Sequence, residues 1–194
     1  MKMATRSRPD AARARSAPEA PPILVIMGVS GSGKTTVANL LADRLRWDRQ
    51  EGDELHPRAN IDKMARGEPL TDEDRGPWLD RIAEWIDGRR HAGLPGVITC
   101  SALKAAYRER LARPEVIFVH LAGGRGVIAD RLARRTGHYM PASLLDSQLE
   151  TLEPLQPGEH GLVVDAAGAP EGEVDEILRR LALTVPPIDG ASTS

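Results

Sequence analysis

The 194-residue sequence has a single cysteine, Cys100, so no disulfide can close within the chain. No apolar run in it approaches the roughly 20 residues that a membrane-spanning helix requires. Nor is there a basic excess: 26 Lys and Arg stand against 28 Asp and Glu, for a formal net charge of -2 and a pI near 6.2. Nucleic acids and anionic membrane surfaces are met by clustered positive charge, so neither is an expected partner and a small molecule is. The first 22 residues lack the apolar core of a secretory signal. They are rich in Arg, Ala and Pro, while Asp10 and Glu19 argue against an acid-poor organelle transit peptide. Residues 1–22 and 185–194 read as disordered tails. No internal repeat is visible, and a reducing cytoplasm suits these absences.

What remains, with 41% hydrophobic residues, can bury one core, so residues 23–184 are expected to form one domain. Strand signals recur at 23–27, 97–100, 116–121 and 162–164, with helical periodicities between them at 34–45, 58–66, 72–90, 103–112, 124–135, 142–151 and 171–183. This alternation predicts an α/β fold with a parallel sheet flanked by helices. The helix over 72–90 is the clearest, with Trp78, Leu79, Ile82, Trp85 and Ile86 on one face and Thr71 with Asp74 as a capping box. A short second strand belongs near 48–50, although Asp-Arg-Gln is polar where a buried parallel strand should be apolar.

Between the first strand and the first helix stands GVSGSGKT, residues 28–35, which fits G-x-x-x-x-G-K-[ST] in the context that motif requires. Such a loop aims successive backbone N–H groups at an anion beside the positive end of a helix dipole. The nucleotide-binding candidates are therefore Gly28, Ser30, Gly31, Ser32, Gly33, Lys34, Thr35 and Thr36. Lys34 reaches the outer phosphates of ATP, and the Thr35 hydroxyl is suited to Mg²⁺. Downstream, EGDELHP carries Glu51, Asp53 and His56 to the carboxyl end of the second strand, where open α/β sheets bind ligands. Asp53 is suited either to accept a proton from an acceptor hydroxyl or to hold a Mg²⁺-bound water; capping a turn is the plainer alternative.

GVSGSGKTT, EGDELHPRANIDKMARGEPLTDEDRGPWL, CSALKAAYRERL, VHLAGG, RLARRTGHYMP, SQLETLEPL and VVDA, in this order over residues 23–183, closely resemble the small P-loop gluconokinases. The polar residues at 48–50 depart from that family's usual apolar strand. The resemblance implies a three-layer P-loop fold similar to shikimate kinase and nucleoside monophosphate kinases. It implies transfer of the γ-phosphate of ATP to the terminal hydroxyl of D-gluconate, and it often accompanies homodimers. Gluconate needs a cationic anchor for its acid end: Arg75 resembles the carboxylate-binding arginine of shikimate kinases, and Arg58, Lys104 and Arg108 are the other candidates. Ser101 and His56 are plausible hydroxyl partners. Cys100 reads as a buried strand residue without reactivity. The segment 131–142 reads as a lid: Arg131 and Arg135 lie four apart on one helix face, Gly137 and Pro141 follow, and His138 is either a lid contact or a solvent-exposed histidine. Competing readings are a shikimate, adenylylsulfate or nucleotide kinase of the same build, or a nucleotide-dependent switch.

Overall fold

The computed structural model describes residues 20–133 and 142–187. Most of both expected tails, and of the expected lid with Arg135, Gly137, His138 and Pro141, lies outside the described residues. The described strands are β1 (Ile23–Met27), β2 (Asp48–Gln50), β3 (Gly96–Thr99), β4 (Val116–Ala122) and β5 (Gly161–Asp165). The helices are α1 (Lys34–Leu45), α2 (Arg58–Ala65), α3 (Asp72–His91), α4 (Ala105–Leu111), α5 (Arg125–Ala133), α6 (Ala142–Thr151) and α7 (Pro170–Arg180), and a 3-10 turn spans Gly52–Leu55.

All five residues of β1 are apolar and buried, the pattern of a strand covered on both faces. It is central: the sheet order is β2-β3-β1-β4-β5, with every neighbouring pair parallel. Successive β1 side chains point to opposite faces. Leu24 and Ile26 join Val37 and Leu41 of α1 and Val174 and Ile177 of α7. Ile23, Val25 and Met27 join Trp78 and Ile82 of α3 and Tyr107 and Leu111 of α4. A smaller cluster of Val29, Leu103, Ile128 and Leu145 fastens α5 and α6 beneath the loop that follows β1. No helix among the described residues is long and apolar enough to cross a membrane.

The polar residues 48–50 do form a strand, because β2 is the edge of the sheet rather than a buried member. Asp48 and Arg49 are exposed, and Arg89 of α3 donates to the Asp48 carboxylate and to the Pro95 carbonyl just before β3. The capping box at the start of α3 is present: the Asp74 N–H donates to Thr71 Oγ1 at 3.2 Å, and the Thr71 N–H to Asp74 Oδ2 at 2.8 Å. α4 is shorter than expected, starting at Ala105 rather than at 103. Residues before it are held off the helix, with Ala102 at φ 44° and Lys104 extended, while the Arg108 guanidinium takes the Ala102 and Leu103 carbonyls. α7 likewise stops at Arg180, three residues early, as Ala182 turns to φ 52°.

Candidate functional site

The loop after β1 is shaped by its glycines. Gly28 stands at φ 140°, and a Cβ there would lie 2.8 Å from both the Leu121 carbonyl and Ser32 Oγ. Gly33, at φ 101°, caps α1, whose second and third residues are Thr35 and Thr36. Lys34 folds back over the loop, its Nζ donating to the Gly28 and Val29 carbonyls at 3.1 and 3.0 Å. Ser32 is fully buried, and its hydroxyl has no hydrogen-bond partner among the described residues. The Ser30 N–H donates to Gln148 Oε1 of α6 at 2.7 Å, and the Gly28 N–H to the Ser101 carbonyl at 3.3 Å, so the loop is tied to α6 and to the end of β3.

Open α/β sheets leave a crevice at the carboxyl ends of their strands, and beside the loop after β1 its second wall is the 3-10 turn that follows β2. Its Asp53 side chain is 77% exposed, and Asp53 Oδ1 lies 4.0 Å from His56 Nε2. His56 is buried, its ring stacked on Trp78 with centroids 4.4 Å apart. Burial holds the His56 pKa below the ordinary histidine value; Asp53 opposes this and Arg75 adds to it. At neutral pH the ring is therefore uncharged. Asn60 Nδ2, which has only protons to offer, stands 3.3 Å from His56 Nδ1, so Nδ1 accepts and Nε2 carries the proton on the side facing Asp53. Beneath both walls lies Cys100, fully buried just past β3. Burial first, with Asp53 adding to it, pushes the thiol up to about 12, while the charges of Lys34 and Arg75 work the other way. The thiol is inert, as expected. The loop that carries Lys34 is joined to the end of β3 by the Gly28 N–H on the Ser101 carbonyl, and the turn of Asp53 is joined to β3 and to the helix of Arg75 at Gly52, which bonds Thr99 Oγ1 at 2.9 Å and Trp78 Nε1 at 2.7 Å.

The four candidate anchors for a carboxylate are sorted by what they already hold. Arg58 is exposed and paired with Asp62 at 2.9 Å. Lys104 is paired with Asp72 at 2.7 Å and lies 5.6 Å from the centroid of the Tyr107 ring. Arg108 corrects the expectation that placed it in the crevice, for it is fully buried and saturated. Its guanidinium bonds both oxygens of Glu159, at 2.6 and 3.0 Å, and the carbonyls of Ala102, Leu103, Glu153 and Pro154. Only Arg75 among the four has no ion pair among the described residues. It is half-buried in the first turns of α3, with its guanidinium 5.9 Å from the centroid of the Tyr107 ring.

Arg131 of α5 is where the sequence put a lid arginine, but it is anchored as well as basic. Nη1 donates to the Ser32 carbonyl at 3.1 Å, and Nη2 to the Gly168 carbonyl at 2.8 Å and to Glu173 Oε1 at 3.3 Å. Glu173 is buried on α7, and that burial raises its carboxyl above the usual range. Arg135 and His138 lie outside the described residues. Sequence reading missed Gln148, Thr99 and Glu173; of these only Gln148 falls in a segment singled out for its resemblance, SQLETLEPL, and nothing in a lone glutamine marks its amide as a partner of the loop.

A sequence-family profile described as AAA domain matches residues 23–155. The gluconokinase of Gluconobacter oxydans (strain 621H) is 52% identical over 163 residues, covering 82% of this chain and 90% of that protein. The chain belongs to the gluconokinase family. A solved gluconokinase from Sinorhizobium meliloti 1021 superposes with a TM-score of 0.76 at 46% identity, covering 84% of this chain and 92% of that one. The shikimate kinase of Bacteroides thetaiotaomicron, at 18% identity and a TM-score of 0.61 over 84% of this chain and 99% of that one, shares the fold alone. Among the described residues no three His, Cys, Asp or Glu side chains converge as a metal cage. Mg²⁺ in kinases is held by substrate phosphates and one or two protein oxygens, a demand that the Thr35 hydroxyl and the Asp53 carboxylate fit as hard donors.

Proposed function

We propose that this gluconokinase-family chain transfers the γ-phosphoryl group of ATP to the terminal hydroxyl of D-gluconate, giving 6-phospho-D-gluconate and ADP. The observation that carries the reading is that the loop bearing Lys34, the turn bearing Asp53 and the helix bearing Arg75, an arginine with no ion pair among the described residues, are joined at the carboxyl ends of β1 and β3, where they supply a phosphate site, a carboxylate base and a carboxylate anchor. Backbone N–H groups of residues 28–35 and the Lys34 ammonium hold the triphosphate; Arg131, tied to the Ser32 carbonyl, adds positive charge beside it. Mg²⁺, held by Thr35 with the phosphates, would neutralise charge on the transferring group. Asp53 accepts the proton of the attacking hydroxyl, and the neutral His56 presents an Nε2–H to a neighbouring sugar hydroxyl. Ser101 and Lys104 complete the polyol side, and the segment from Arg131 onward, with Arg135 and His138, closes over ATP to exclude water. ATP and D-gluconate are its partners in this reading, with homodimer assembly and a cytoplasmic location accompanying it. ADP release should depend strictly on gluconate in a coupled assay across gluconate, related sugar acids, shikimate and adenosine monophosphate. Release driven by shikimate or the nucleotide, or without any acceptor, would overturn the reading.

Asp53→Asn should leave ATP affinity near wild type while cutting the single-turnover transfer rate by about 10²-fold or more, since general base catalysis typically contributes that much. A variant that phosphorylates gluconate normally would reduce Asp53 to a turn residue. Arg75→Lys should raise the KM for gluconate about tenfold or more, because lysine cannot reproduce a bidentate fork on a carboxylate. The KM for ATP should stay put, and the preference for gluconate over an uncharged polyol of similar length should narrow. If Arg75→Lys is silent and Arg58 or Lys104 substitutions give this pattern instead, the acid end of the substrate lies elsewhere in the crevice.

A further inference from the structure

We propose that Thr99 and Trp78 are positioning residues for Asp53, with Glu51 setting the direction of the Thr99 hydroxyl. The inference rests on the reading of Asp53 as the proton acceptor. The β2–β3 ladder ends at the pair Gln50 and Ile98, so Glu51 and Gly52 lose their strand partners where the chain must turn into the crevice. The Thr99 hydroxyl takes over. Thr99 Oγ1 accepts from the Gly52 N–H at 2.9 Å and donates its own proton to Glu51 Oε1. A hydroxyl has one proton, and with that proton committed to Glu51 a lone pair is left facing Gly52. On the other side, the Gly52 carbonyl accepts from Trp78 Nε1 at 2.7 Å. Both backbone polar groups of the residue before Asp53 are thus fixed by side chains that are each 1% exposed.

Two further contacts close the frame. A Cβ on Gly52 would lie 1.9 Å from the Thr99 carbonyl, so the turn rests directly on the β3 backbone and only glycine fits. Past Asp53, the His56 ring stacks on the same indole, and the His56 N–H donates to the Asp53 carbonyl at 3.3 Å. The Asp53 carboxylate itself is largely exposed and makes no hydrogen bond among the described residues. Its place is inherited from the residues on either side. Glu51 Oε2 is buried without a hydrogen bond, 3.5 Å from its countercharge on Arg49. A carboxylate kept in so costly a place has a use in orienting the hydroxyl that grips the turn.

Thr99→Val keeps the side-chain shape and deletes both hydrogen bonds, whereas Thr99→Ser keeps the hydroxyl. The experiment measures kcat, both KM values and the thermal midpoint for each variant, alone and combined with Asp53→Asn. Thr99→Val should lower kcat about tenfold with the KM for ATP within about twofold, because displacing a reacting group by a fraction of an ångström acts on the transfer step. Thr99→Ser should recover most of the loss. Added to Asp53→Asn, Thr99→Val should cost nothing more, since the group being positioned is gone. A folded Thr99→Val with wild-type kcat, or a loss that multiplies in full with Asp53→Asn, would overturn the proposal and leave the hydroxyl a role in stability alone. If Thr99→Val does not fold, Trp78→Phe, which removes Nε1–H but keeps a ring under His56, should show the same loss confined to kcat; a Trp78→Phe with unchanged kcat overturns it too. Normal turnover in Asp53→Asn alone would end the parent reading, and the single variant separates that failure from failure of the clamp.

Discussion

Replacing Lys34 with methionine is expected to lower turnover by on the order of 100-fold or more, equivalent to about 3 kcal/mol of transition-state stabilisation. Methionine keeps most of the stem length, so what it removes is the ammonium. That ammonium now donates to the Gly28 and Val29 carbonyls, on a loop whose glycines 28, 31 and 33 stand at φ 140°, 82° and 101°. As charge spreads over the oxygens of the transferring phosphoryl, a fixed cation gains more from the transition state than from bound ATP, so kcat should fall further than ATP affinity does. The thermal midpoint should move by no more than a few degrees, because the two carbonyls released are satisfied by water at the crevice mouth. Single-turnover kinetics with gluconate, nucleotide binding and a thermal scan together decide it. Unchanged turnover would end the assignment of residues 28–35 as the phosphate site.

Lys34 was legible because its signal is entirely local: a buried strand, a run of glycines and a helix start lie within a dozen residues, and the chemistry follows from that backbone alone. The same holds for β1, buried on both faces, and for the Thr71–Asp74 capping box. Legibility failed where a residue's meaning depends on its place in the sheet. Residues 48–50 look wrong for a strand until β2 is known to be the edge, where one flank needs no apolar cover. Thr99 is the same kind of case, since a threonine closing a strand is ordinary until residue 52, 47 positions away, is laid against it. Trp78 was read as core, and it is core; its indole N–H also has a buried carbonyl to satisfy, a second job that no helical periodicity can reveal. Among Arg75, Arg58, Lys104 and Arg108 the sequence favoured Arg75 by resemblance alone, and it is their partners that separate them physically.

Arg108 carries the second large expectation, one of stability rather than catalysis. Arg108→Ala should destabilise the fold by about 3–5 kcal/mol, the usual cost of leaving one half of a buried ion pair behind. Against a total of about 5–15 kcal/mol for a domain, that is a large share, and the thermal midpoint should drop by about 10 °C. The guanidinium does more than face Glu159. It also satisfies carbonyls of two separate segments, those of Ala102 and Leu103 before α4 and those of Glu153 and Pro154 after α6. For this reason the double variant Arg108→Met with Glu159→Leu should recover only part of the loss. An apolar pair removes the stranded carboxylate, yet the Ala102 and Glu153 carbonyls still lose their donor at about 1–3 kcal/mol each, while Leu103 keeps the Glu153 N–H and Pro154 keeps Gln156 Nε2. Acid sensitivity gives an independent reading. The Arg108 hydrogen bond holds the Glu159 carboxyl below its ordinary value of 4.5, so the stability it lends is present above that pH and is lost as pH falls through the lowered value. Wild type should therefore lose stability on acidification below about pH 4.5 more steeply than Arg108→Ala, which has already lost the pair. If the double variant is as stable as wild type, the arginine serves Glu159 alone, and the carbonyl contacts that hold residues 102–104 off the helix contribute nothing measurable.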